Sequence, residues 1–164
     1  MDHHIPIDAS QISIRPLGIK DLDNVLEVEE LSFKYPWSRE AYRYEFDENI
    51  LSRYWGCFYE NRLIAFAGYW LIMDEGHIAN VAVHPLFRRQ GVGELLMYYV
   101  MNACLMEGGE KMTLEVRAGN AAGQRLYKKM GFKAAGLRKG YYSDSNEDAV
   151  IMWVDLIHLQ EEKD

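Results

Sequence analysis

A mixed α/β (α+β) fold, with a central and mostly antiparallel sheet of about seven strands flanked by about four helices, is what this sequence predicts. Three observations carry that expectation. Strand-like runs at Tyr54 to Tyr59, Arg62 to Met73 and His77 to Val83 are separated by Glu60-Asn61 and Asp74-Glu75-Gly76, plausible hairpin turns that make an antiparallel meander. After Pro85 the pattern turns helical, from about Gly91 to Glu107, and then returns to a strand at Met112 to Val116, which gives a strand, helix, strand crossover. Helical periodicity precedes the meander, and a helix with two more strands follows the crossover.

Taken in order, a short strand at Ser13 to Pro16 leads into apolar residues Leu22, Val25, Leu26 and Leu31 at helical spacing, with Asp21 and Asp23 near the positive end of the helix dipole. Ser38 is placed to cap a second helix running to about Phe46, and Trp37 with Tyr42 has the spacing of a hydrophobic staple. Between these helices Phe33-Lys34-Tyr35-Pro36 reads as an aromatic loop. Gly108-Gly109 ends the crossover helix. A helix from about Asn120 to Met130 stops at Gly131, and strands at Phe132 to Tyr142 and Ala149 to Leu156 complete the pattern. With no repeat or linker, one domain over 1–164 is expected, with loose ends at 1–10 and 158–164.

A chain of 164 residues, 49% hydrophobic and 13% aromatic, has ample material for a buried core. No run approaches the roughly 20 apolar residues that span a bilayer, and Met1-Asp2-His3-His4 lacks the features of a signal peptide, so a soluble cytoplasmic protein is expected, without a membrane partner. Cys57 and Cys104 make no disulfide framework and read as free thiols. A net charge of -7 argues against nucleic acid as a partner and would suit a basic one, although most acidic proteins are merely soluble. His3, His4, His77, His84 and His158 are scattered without metal-ligand spacing, so no metal is expected.

The segment Val81 to Glu94 holds the most chemistry. A strand ends at Pro85, Arg88 and Arg89 follow, and Gly91 and Gly93 open a helix whose first N–H groups lack intrahelical partners. Those groups and the dipole favour an anion, and glycine lets a pyrophosphate approach closely. An ordinary strand-to-helix connection with solvated arginines is the alternative from spacing alone. A P-loop would need Lys and Ser/Thr after its last glycine, and a dinucleotide fingerprint would need a third glycine where Leu96 stands.

Arg88, Gly91 and Gly93 match the Q/R-x-x-G-x-G/A signature, and the chain resembles the GNAT superfamily of N-acetyltransferases almost end to end. Within it, the chain looks closest to the bacterial ribosomal-protein alanine N-acetyltransferases of the RimI type. That likeness runs through Phe33-Lys34-Tyr35-Pro36-Trp37-Ser38, Asn80-Val81-Ala82-Val83-His84-Pro85, Leu114-Glu115-Val116-Arg117-Ala118-Gly119-Asn120, Leu126-Tyr127-Lys128-Lys129-Met130-Gly131-Phe132, and Tyr141-Tyr142 followed by Glu147-Asp148-Ala149. Gly119, His84 and an extension of the start depart from the commonest pattern.

The resemblance implies acetyl-CoA as co-substrate, with Val81, Ala82 and Val83 pairing their backbone to its pantetheine arm. It implies that Arg88, Arg89, Gln90, Gly91, Val92, Gly93 and Glu94 surround the pyrophosphate, and that Asn120 also contacts it. A glutamate at the position of Glu115 acts as general base in the related enzymes, and a tyrosine at that of Tyr127 returns a proton to sulfur. From the residues alone, Glu115 could equally face solvent or pair with Arg117, and Tyr127 could be a core aromatic. The acceptor is enclosed in those enzymes by the loop holding Phe33, Tyr35, Pro36 and Trp37 and by Tyr141 and Tyr142. An α-amine, with a pKa of about 8 against about 10.4 for lysine, is the easier nucleophile, so a protein N-terminus is the expected acceptor, and the resemblance implies that of a ribosomal protein. A small amine such as a polyamine or aminoglycoside, or a sensor that binds acyl-CoA without turnover, are the rival readings.

Overall fold

The computed structural model describes residues 3–163. Its elements are β1 (Ile12–Pro16), α1 (Leu22–Ser32), α2 (Arg39–Asp47), β2 (Ser52–Tyr59), β3 (Arg62–Ile72), β4 (Glu75–Val83), α3 (Val92–Met106), β5 (Lys111–Arg117), α4 (Ala121–Lys129), β6 (Lys133–Tyr142), β7 (Glu147–Asp155) and α5 (Leu156–Lys163). The strands form one sheet in the order β1-β2-β3-β4-β5-β7-β6. Among the described residues no helix is long and apolar enough to cross a membrane. Two compact units divide the chain: one takes the residues up to Trp70 with Ala79–Val100, the other Leu71–Ile78 with the residues from Met101.

In the first unit, β1 pairs antiparallel with β2, and β2 with β3 across a turn in which Glu60 (φ 49°) and Asn61 (φ 68°) both take the left-handed conformation of a tight hairpin. Tyr42, Tyr54, Phe58 and Phe66 form its core with Val25, Leu26 and Val28, and Phe33 and Trp37 pack against it. α1 buries Leu22, Val25, Leu26 and Glu29, the i, i+3, i+4, i+7 stripe, whereas Leu31, expected on that stripe, is 51% exposed. Glu29 is tolerated because it accepts hydrogen bonds from the Trp37 backbone N–H (3.0 Å) and the Tyr42 hydroxyl (2.8 Å); burial nevertheless pushes its carboxyl above the usual range. As expected, the Ser38 hydroxyl accepts from the Ala41 N–H to cap α2, and the Trp37 and Tyr42 rings lie 5.3 Å apart.

Loose ends are expected at 1–10 and 158–164, and within the first of these hydrogen bonds reach a distant part of the chain. The Ile5 N–H donates to the Leu86 carbonyl (2.7 Å), the Gln90 side chain donates to the Ile5 carbonyl (2.8 Å) and accepts from the Ile7 N–H (2.9 Å), and a 3-10 turn follows at Ala9–Gln11. Backbone groups of Ile5 and Ile7 are thereby satisfied by a distant part of the chain, which no local pattern marks. The same expectation for Met1, Asp2 and Asp164 lies outside the described residues.

In the second unit, residues Glu75 to Ile78 of β4 run parallel to Lys111 to Leu114 of β5, and β7 pairs antiparallel with both β5 and β6. The turn before β4 is shorter than expected, since Glu75 and Gly76 already belong to the strand and Met73 (φ 56°) makes the bend. α4 is capped by Asn120, whose side chain accepts from the Gly123 N–H (2.9 Å), and ends before Gly131, which takes a φ of 100°. Met112, Leu114, Met152, Val154 and Phe132 are buried. A fifth helix, α5, follows β7: Leu156 is buried, and the Asp155 carboxylate accepts from the His158 N–H at the helix start.

Candidate active site

β4 delivers the chain to the glycine loop. His84 is buried and its ring nitrogen accepts from the Leu86 N–H, which fixes the 3-10 turn Pro85–Phe87. Arg88 is exposed, but its side chain is tied to the strand end. Its Nε donates to the Val83 carbonyl (2.9 Å), which also accepts from the Ser32 hydroxyl (3.3 Å), so the arginine ties the loop back to the strand end. Both acceptor directions of that carbonyl are thereby used, while Ala82 is a buried core residue. The Gln90 side chain is likewise engaged, by the start of the chain.

Arg89 is exposed with a φ of 62°, and Gly91 follows with a φ of 81°. A Cβ built on Gly91 meets nothing within 4 Å, so the space beside this backbone is open, and glycine alone adopts such a φ freely. The Leu95 N–H donates to the Gly91 carbonyl (3.0 Å), which makes this the first turn of α3 and places the N–H groups of Val92, Gly93 and Glu94 ahead of the first intrahelical bond. An open, left-handed backbone at a helix N-terminus fits the diphosphate of a coenzyme.

Glu115 and Tyr127 belong to the second unit. The Glu115 side chain is 9% exposed and has polar neighbours: the His77 Nε2 lies 2.6 Å from its Oε2 and the Arg138 Nη2 lies 3.8 Å from its Oε1. Arg117, the sequence-adjacent partner considered above, instead grips Asp144 with two nitrogens (3.0 and 2.6 Å) and stacks over the Tyr142 ring at 4.0 Å. The Tyr142 hydroxyl donates to the Glu115 carbonyl (3.2 Å), and burial pushes that phenol up to about 12. Tyr127 is 8% exposed, edge-on to Phe132 at 5.9 Å, and burial pushes its phenol well above the usual range. Among the described residues its hydroxyl makes no hydrogen bond, which leaves it available to a bound molecule.

On the acceptor side the aromatic residues differ. Phe33 and Trp37 pack against the core of the first unit, whereas Tyr35 (41% exposed) and Pro36 face outward. Tyr141 is exposed and edge-on to Tyr142 in the second unit. Asn120, expected near the coenzyme, is exposed at the start of α4, its carbonyl oxygen occupied by the cap.

His77 is the residue that sequence reasoning missed. The parallel register sets His77 opposite Thr113, so Glu115, two residues further along β5, is its diagonal neighbour on the same face. Only the pairing of strands separated by α3 reveals this, although a histidine on a strand paired with the strand of Glu115 is a signal that a register prediction would have found. Among the described residues no group of three His, Cys, Asp or Glu side chains is arranged to hold a metal ion.

Residues 22–132 match the model of the acetyltransferase (GNAT) family. A Bacillus subtilis relative, assigned by its name only provisionally to ribosomal protein bS18-alanine N-acetyltransferase, is 36% identical over 147 residues, spanning 90% of this chain and 97% of its own. The Escherichia coli K12 ribosomal protein bS18-alanine N-acetyltransferase is 33% identical over 142 residues, 85% of this chain and 95% of its own. Among solved structures, the ribosomal-protein-S18-alanine N-acetyltransferase from Escherichia coli superposes with a TM-score of 0.81 at 31% identity, over 88% of this chain and 94% of that one. The PaiA N-acetyltransferase from Thermoplasma acidophilum, solved in complex with coenzyme A, shares the fold with a TM-score of 0.75 at 23% identity, over 88% of this chain and 98% of its own. With the sheet order, the glycine-led start of α3 and these likenesses agreeing, the chain belongs to the GNAT family and is an acetyl-CoA-dependent N-acetyltransferase.

Proposed function

We propose that residues 1–164 form one cytoplasmic acetyltransferase domain that acetylates the N-terminal α-amine of a protein, the N-terminal alanine of a ribosomal protein. The observation that carries the acceptor is the likeness, over 85% of this chain, to the Escherichia coli bS18-alanine enzyme. Free, buried Cys57 and Cys104, both pushed up to about 11 by burial, suit a reducing compartment.

The backbone from Arg89 to Glu94 holds the diphosphate, Gly91 giving it room and Arg89 adding charge, while the Val81 backbone and the Val83 N–H are offered to the pantetheine arm. Asn120 lends its remaining amide N–H groups to the coenzyme. Tyr35, Pro36, Tyr141 and Tyr142 provide faces for a peptide, with Phe33 and Trp37 bracing the loop. Glu115 takes one proton from the acceptor's ammonium, directly or through a water. The neutral amine then attacks the thioester carbon, a C–N bond forms and the C–S bond breaks. Tyr127 gives its proton to the leaving sulfur and recovers one from the amide nitrogen, so both protons are accounted for. A phenol kept protonated by burial is a weak acid, and it donates because it is placed where sulfur gains charge.

Steady-state assays on an alanine-initiated peptide test this reading. Glu115→Gln and Tyr127→Phe should each lower kcat by about 100-fold or more while KM for acetyl-CoA stays within about twofold. Full kcat in Glu115→Gln would end the assignment of the base, and turnover of polyamines but not of peptides would end that of the acceptor.

A further inference from the structure

We propose that His77 is a positioning residue for Glu115: its Nε2–H holds one carboxylate oxygen, so that the other is presented to the incoming amine. This rests on the reading of Glu115 as the base.

An ionised carboxylate only accepts hydrogen bonds, so at 2.6 Å from Oε2 the ring nitrogen is the donor, and the bond is of the short, charge-assisted kind. The second oxygen, Oε1, has Arg138 at 3.8 Å, beyond hydrogen-bonding reach. Arg138 therefore adds attraction without occupying Oε1. The main chain of Glu115 is held separately by the Tyr142 hydroxyl, and the ladder between β4 and β5 sets the His77 backbone. A glutamate side chain otherwise samples many rotamers, and holding a base in reacting geometry is worth up to about 100-fold in rate. The His77 side chain is 28% exposed and the Glu115 side chain 9%, so the histidine is the more exposed member of the pair.

His77→Leu removes the donor and keeps bulk, whereas the side-chain amide of His77→Gln still donates. On an alanine-initiated peptide, His77→Leu should lower kcat by about 10- to 100-fold with KM for acetyl-CoA within about twofold, and His77→Gln should recover most of the loss. In a Glu115→Gln background, His77→Leu should cost nothing further, because a residue acting through Glu115 has nothing left to position. Unchanged kcat in His77→Leu, or losses that multiply in the double variant, would overturn the proposal. If Glu115→Gln itself keeps full kcat, the base assignment has failed; if it loses activity and His77→Leu does not, only the role of His77 falls. Should His77→Leu not fold, His77→Ala with added imidazole decides: restored kcat supports the positioning role and no restoration overturns it.

Discussion

Asp21 is a charge out of contact with bulk water, 3% exposed, and its two oxygens accept from both Arg15 terminal nitrogens (2.9 and 3.1 Å) and from the Gly18 N–H (3.0 Å). The Arg15 hydrogen bond holds its carboxyl below the usual value of 3.8. Because the folded state binds its proton more weakly than the unfolded state, the stability it contributes is complete above that value and is lost as pH falls through the lower folded one. Asp21→Asn should therefore cost roughly 1 to 3 kcal/mol at neutral pH in urea unfolding, and the gap from the parent should close on acidification below about pH 4. A constant gap across that range would contradict the account. The sequence marked Asp21 only as a dipole partner, because its pairing with Arg15 depends on how β1 lies beside the helix start. Glu29 was equally illegible: periodicity places it on the buried stripe, but charge argues for solvent, and the donors that settle the conflict come from Trp37 and Tyr42.

Among the elements, the connection from β4 to α3 was the most legible, because glycine spacing and a helix start are local features. Gly91, with its φ of 81° and open flank, gives that legibility a test. Gly91→Val places a branched side chain in a left-handed backbone and in the space read here as the approach of the diphosphate, so KM for acetyl-CoA should rise at least about tenfold, with a destabilisation of about 1 kcal/mol or more. Unchanged coenzyme affinity by calorimetry would show that the diphosphate binds elsewhere. The bounds of the strands and of α1 to α4 were readable for the same local reason. The position of β7 between β5 and β6 was not, since a final hairpin can add to a sheet by either strand. Nor was the tether of residues 5–7, which depends on the distant Gln90 and Leu86, or the His77–Glu115 pair, which depends on parallel register across a helical crossover.

For the molecule as a whole, the net charge of -7 disfavours nucleic acid as the thing bound and is compatible with a basic protein acceptor. Fold and reaction follow from family membership, whereas the acceptor is a matter of side chains at the surface, which is why sequence reasoning reached the reaction class sooner than the substrate. The most direct measurement is mass spectrometry of an alanine-initiated peptide bearing an internal lysine, incubated with the protein and acetyl-CoA, with thiol release followed alongside. The account predicts one acetyl group, located on the α-amine, formed in step with one free thiol, and no product from the same peptide with its terminus blocked. Acetylation of the lysine alone, or coenzyme binding without any acetylated peptide, would contradict it.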